Sequence, residues 1–214
     1  MTRSRSEAGA AAPAVAAVLE PRRRVRAPQT RRTALMDAAE RLFLEKGVAA
    51  TSVDDITTAA QVAKGTFYVY FGSRDAMLSA LQERFITAFC ERMRQAMDRH
   101  RAGNWEARLR TWFETALDGL LGQVMLHDML FHDVRPGDRE VMKDNPVVVQ
   151  LAGLLRQGAE AGAWQVSDPH SLAIMMFHAM HGLADEAVVR GTADRRGRMV
   201  GLLTDTFAGA MRRP

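Results

Sequence analysis

The chain has 214 residues, 47% hydrophobic and 25% charged, the balance of an ordinary globular protein with a buried core. Its single cysteine, Cys90, excludes an internal disulfide and any multi-cysteine zinc site, and it points to a reducing, cytoplasmic setting. The absence of eighteen consecutive uncharged apolar residues leads to the expectation of no membrane span. The net charge of +4 is uneven. Residues 1–32 hold eight arginines against Glu7 and Glu20, a net of +6, which leaves −2 for the rest. An acidic partner at that end follows, nucleic acid or a membrane surface being the candidates.

Residues 1–30 alternate arginine, serine, alanine and proline, with few large apolar groups. Such a segment cannot bury enough surface to offset its ordering entropy, so a disordered basic arm is expected. From Gln29 onward the pattern is helical and strand-like alternation is absent, which makes the fold class all-α. Leu35, Ala38, Ala39, Leu42 and Phe43 recur at helical steps, and Gly47 is placed to end that helix in the left-handed region. Ser52 and Asp55 form a capping-box spacing at the head of a short helix, 53–60. A tight turn at 61–63 leads to a second short helix, 64–71. Gly72 and Ser73 break it and cap a long helix, about 74–100, with Phe85, Phe89, Met93 and Met97 on one stripe. Asn104 opens a helix through Trp105, Trp112, Leu117 and Leu121, and a shorter apolar piece covers about 124–131. Asn145–Pro146 and Asp168–Pro169 both pair an N-cap with proline at the first helical position, so helices are expected to about 160 and 190. A last helix spans about 193–212. The total is about nine helices.

Two short helices joined by a three-residue turn and preceded by a third form a helix-turn-helix plan. The wording of this segment is more specific than its plan. Residues 41–47 (RLFLEKG), 51–56 (TSVDDI) and 62–71 (VAKGTFYVYF) resemble the N-terminal domain of the TetR family of bacterial transcriptional regulators. The likeness is dense over residues 31–81. Beyond that it rests on length and helix layout. Phe67 and Phe71 lie four apart and can face inward onto Leu42, Phe43 and Ile56. Lys64 with Tyr68, and Thr66 with Tyr70, can edge the outward face. Gly65 lets the helix start approach DNA closely. The resemblance implies that Lys64, Gly65, Thr66, Tyr68 and Tyr70 touch bases or backbone, and that Thr51 and Arg74 contact phosphate. The bland alternatives are packing between helices for Tyr70 and capping for Thr51. The basic arm either reaches the duplex or is a solvated tail.

The resemblance also implies domains at 31–78 (helix-turn-helix) and 79–214 (ligand-binding and dimerisation). It implies a homodimer through the last two helices, a double-stranded DNA operator and a small-molecule effector, most often with repression as the outcome. No cofactor, membrane or enzymatic activity is expected. The small and apolar residues Ala173, Ala179, Gly182, Leu183, Ala184, Met199, Leu203, Phe207 and Met211 suit close helix packing at the dimer interface or within one protomer. Phe89, Met93, Trp112, Phe113, Met125, Met129, Phe131 and Met176 are candidates to line a pocket for an apolar or aromatic effector, since methionines make a deformable wall. Plain core packing is the competing reading for each. His127, His132, His178 and His181 raise a metal-sensing alternative, and a non-DNA-binding helical ligand carrier is another. Catalysis lacks support: Cys90 sits within an apolar-striped helix, and no phosphate loop or dinucleotide glycine pattern occurs.

Overall fold

The computed structural model describes residues 28–131 and 145–212. Most of the basic arm, the polar stretch from His132 to Asp144, and hence His132 itself lie outside the described residues.

Every regular element among the described residues is helical. The order is α1 (Pro28–Lys46), α2 (Val53–Ala59), α3 (Lys64–Tyr70), α4 (Arg74–Met97), α5 (Trp105–Gly122), α6 (Val124–Phe131), α7 (Pro146–Glu160), α8 (Pro169–Val189) and α9 (Arg196–Ala210). A short 3-10 turn, Ala193–Arg195, precedes α9. The caps explain the boundaries. Ser52 and Asp55 form a reciprocal capping box at α2. Ser73 accepts from the Ala76 amide, Asn104 from Ala107 and Asn145 from Val147, while Asp168 accepts from His170 and Ser171. Gly47 ends α1 at φ 85°, where a side chain would be strained. Gln61, in the turn between α2 and α3, holds φ 56° without the freedom of a glycine.

The helices bury two apolar clusters. The first joins Leu35, Ala39, Phe43, Ile56, Phe67, Phe71, Met77 and Leu81 from α1–α4 with Leu130 of α6. The second is built from the C-terminal half of α4 with α5, α7, α8 and α9, around Phe89, Met93, Trp112, Phe113, Leu151, Leu155 and Met176. Helix α4 therefore serves both, and Phe85 touches each. Two polar ties fasten the junction. Gln82 Nε2 donates to the Leu130 carbonyl at 2.6 Å. Arg84 pairs with Asp37 at 2.6 Å and with Glu40 at 2.7 Å, linking α4 to α1.

Two glycines in the bundle mark close approach. A Cβ on Gly119 would lie 2.3 Å from the Phe89 ring, and one on Gly158 would lie 2.2 Å from the Trp164 indole. Trp164 is fixed there by donating Nε1 to the Leu155 carbonyl at 2.7 Å.

Helix α8 amends the membrane expectation. By length and composition it is apolar enough to cross a bilayer. The same stretch puts Ala173, Met176, Phe177, Met180, Ala184 and Ala187 into the bundle core, while Ile174, Met175, Val188 and Val189 stand exposed.

Candidate nucleic-acid interface

Helix α3 is anchored by one side and open on the other. Phe67 is fully buried beside Phe71 in the first core. That contact fixes the rotation of the helix, and Tyr68 and Val69 consequently stand in solvent at 54% and 77% exposure. Lys64 and Gly65 share the exposed side, and Thr66 is half-buried. Tyr70 is half-buried against the first core, its ring 6.5 Å from that of Phe71, so its body is committed to packing. Val69, the most exposed apolar side chain of this helix, was not among the residues singled out from sequence. It lies two residues from both Phe67 and Phe71, which turns it to the opposite side of the helix, and that spacing is the signal that could have found it.

The charges here are paired. Lys64 Nζ meets the Asp54 carboxylate of α2 at 2.9 Å, which holds the ammonium above its ordinary pKa. Lys46 meets Asp55 at 2.7 Å. That lysine first, and then the Ser52 amide and hydroxyl, hold the Asp55 carboxyl far below the usual carboxylate range.

One of the expected phosphate contacts is corrected, and the other acquires a structural role. Thr51 has no exposed surface, and its Oγ1 donates to the Gly47 carbonyl at 2.8 Å. Its hydroxyl ties the end of α1 to the start of α2 and cannot reach a phosphate. Arg74, half-buried, directs Nη1 at three carbonyls, Val48 at 3.1 Å, Ala49 at 3.0 Å and Thr51 at 2.9 Å. It clamps the α1–α2 connection onto the start of α4 and so positions α2 and α3. Both roles depend on contacts distant in sequence, which periodicity does not carry.

The eight candidate effector contacts are mostly packing residues. Phe89, Met93, Trp112, Phe113 and Met176 are buried in the second core. Met129 and Phe131 pack against the first core, and Met125 points outward at 73% exposure. None of the eight lines either of two surface depressions. One, about 20 Å³, lies between α5, α6 and α8 and is lined by Leu120, Val124, His127, Asp128, His181 and Asp185 among others. The other, about 550 Å³, is an open groove between α8 and α9 lined by Leu183, Ala187, Met199 and Leu202 with charged neighbours. The buried Trp112 Nε1 and Gln150 Oε1 have no hydrogen-bond partner among the described residues.

The histidines separate. His127 and His181 face each other with ring centroids 5.7 Å apart, and His181 Nδ1 donates to the Phe177 carbonyl at 3.0 Å. Burial first, with the neighbouring His127 and His178, lowers the His181 pKa. His178 is exposed. No group of three histidine, cysteine or acidic residues stands in metal-holding geometry among the described residues. Cys90 is half-buried, and burial pushes its thiol up to about 11, which leaves it a poor nucleophile at neutral pH.

Comparison with known proteins singles out the same segment. Residues 35–81 match the model for bacterial regulatory proteins of the tetR family. The transcriptional regulator EthR of Mycobacterium tuberculosis is 32% identical over 89 residues, 40% of this chain and 41% of that protein. The transcriptional repressor KstR2 of Rhodococcus jostii is 41% identical over 56 residues, 26% of this chain and 28% of that protein. The chain thus spans well under half the length of these curated relatives. Likeness over the whole fold is seen with the SmeT–triclosan complex, at TM-score 0.66 and 22% identity, covering 86% of this chain and 93% of that one.

Proposed function

We propose that this chain, which belongs through its N-terminal domain to the tetR family of bacterial regulatory proteins, reads a two-fold DNA operator with α3 and releases it when a small molecule binds the bundle. The carrying observation is the two-sided character of α3. Phe67 is locked in the core, and the opposite side presents Tyr68, Val69, Gly65 and Lys64 to solvent. A tyrosine offers a flat apolar body and a hydroxyl, which suit thymine methyls, sugars and phosphates. The reading unit extends over 31–78 and the sensing and dimerising unit over 79–214, with the basic arm adding phosphate contacts in a cytoplasmic setting. Thr66 sits at the edge of the contact, and Tyr70 acts by supporting the helix.

A second copy would pack on α8 and α9. Exposed Met175 and Leu202, with the groove between these helices, support that surface. Ala173, Ala184, Met199, Leu203 and Met211 are instead used inside the protomer, while Gly182 stays exposed. Two symmetric reading helices would contact half-sites about 34 Å apart or at a multiple of that distance.

The effector is an apolar or aromatic molecule with a polar group. It enters the bundle by displacing packed side chains, and the unpartnered Trp112 Nε1 and Gln150 Oε1 would meet its polar atoms. A ligand that prefers one arrangement of α4 weakens DNA binding by its differential affinity. Triclosan bound to a protein of the same fold is consistent with such a ligand class. Repression follows the role named for KstR2.

The test is retention of genomic fragments by the full chain. Retained fragments are expected to share a palindromic site, protected symmetrically and bound by a dimer. Retention without a shared site, or of a site by one protomer, contradicts the proposal.

A further inference from the structure

The reading segment is electrically unusual for a surface that meets phosphates. Residues 51–73 contain Asp54, Asp55 and Lys64 as their only charged side chains, a net of −1. Asp55 has a structural task, since its carboxylate closes the capping box with Ser52 and holds Lys46. Asp54 differs. Its exposed carboxylate has Lys64 as its described partner, at 2.9 Å, and both side chains are more than half in solvent. An exposed pair of this kind contributes little to stability, and the place of Asp54 in the first turn of α2 favours an acidic side chain there without calling for Lys64 as its partner. Its effect falls on the cation, because Lys64 heads the helix that faces the duplex.

A free lysine attracts any phosphate and releases a counter-ion on contact, whatever the sequence. A lysine already neutralised by a carboxylate forfeits that gain, and its partner repels the backbone. The pair is satisfied at DNA only where base edges offer both halves something. A guanine O6 or N7 can accept from lysine, and a cytosine or adenine amino group can donate to the carboxylate. Resting on the DNA-reading proposal above, we infer that Asp54 is a specificity-determining residue: by holding Lys64 it suppresses binding to arbitrary duplex and makes the start of α3 answer to bases. General attraction is left to cations outside this segment, such as Arg31 and Arg32 of α1 and the arginines that precede it.

The experiment uses the full chain and a mixed-sequence 30-base-pair duplex, titrated across a salt series. The proteins are wild type, Asp54→Asn, Lys64→Met and the double variant, with a thermal melt of each. Asp54→Asn is expected to bind this probe about three- to tenfold more tightly near 100 mM salt, with a salt slope steeper by about 0.9. The gain is expected to vanish in the Lys64→Met background. It should also exceed any gain on the best-retained genomic fragment, so that discrimination falls. Wild-type binding with an unchanged Asp54→Asn overturns this inference alone, as does a gain that survives Lys64→Met. Failure of all four folded proteins to bind either DNA overturns the DNA-reading proposal and this inference with it.

Discussion

The two ends of α4 serve regions that use their residues differently. At its N-terminal end a small core of Phe43, Ile56, Phe67 and Phe71 supports a short helix whose other face is left uncovered. At its C-terminal end the apolar side chains of α4 and α5 turn inward, into a core shared with α7, α8 and α9. In the first region a residue's neighbours in sequence have opposite fates, one packed and one presented. In the bundle, packing accounts for most of the large side chains. An uncovered apolar and aromatic surface beside a rigid anchor is therefore more informative about function than a large buried cluster.

The sharpest break in that comparison is between Phe67 and Tyr68. Phe67→Ala should cost about 3–5 kcal/mol in chemical denaturation, the range for an emptied aromatic site. Tyr68→Ala should stay within about 0.5 kcal/mol of wild type, as an exposed side chain, and lose about tenfold or more in DNA affinity. Equal stability losses at both positions would erase the distinction.

The bundle should show the reverse pattern. Gly119→Ala drives a methyl into Phe89, and Gly158→Ala drives one into the fixed Trp164. Each is expected to lower stability by about 1–3 kcal/mol, while the folded fraction binds DNA as wild type does.

These predictions also show where sequence was readable. Helix positions followed from local signals, because Ser52, Ser73, Asn104, Asn145 and Asp168 cap through their own side chains and amides two or three residues on. The inward face of α3 was legible because Phe67 and Phe71 are four apart, but its outward face was legible only in part, since Thr66 and Tyr70 are half-buried and Val69 is exposed. The clamp made by Arg74 was not, since its three carbonyl partners lie 23 to 26 residues away. Neither was the burial of Thr51, the outward turn of Met125, or the approach of His127 to His181. Each depends on how helices meet, which a period of 3.6 residues does not encode. Methionine and aromatic stripes gave the same signal whether a side chain was to line a cavity or fill a core.

The His127–His181 contact sharpens the comparison through pH. A histidine whose pKa is lowered on folding is protonated more readily in the unfolded chain. Stability from His181 is therefore complete above its unfolded pKa of about 6.5 and is lost as pH falls toward the lower folded value. His127 and Asp128 on α6, with His178 and Asp185 on α8, face or flank the same ring and set the size of the effect. Denaturation midpoints of wild type should drop between pH 7 and 5 more than those of His181→Gln. A parallel decline in both would remove His181 as the cause.

Two small effects complete the order. Ser52→Ala removes the capping box and should cost about 1 kcal/mol. Gln61→Gly relieves the left-handed backbone and should gain about 0.5–1 kcal/mol after the glycine's own entropy. Both are read from midpoints of thermal melts.

The most direct measurement is protection of the best-retained genomic fragment by wild type and by a Lys64→Ala/Tyr68→Ala double variant whose melting matches wild type. Symmetric protection by wild type and a loss beyond about tenfold in the variant are expected if α3 reads the duplex. Identical protection by both proteins would contradict it.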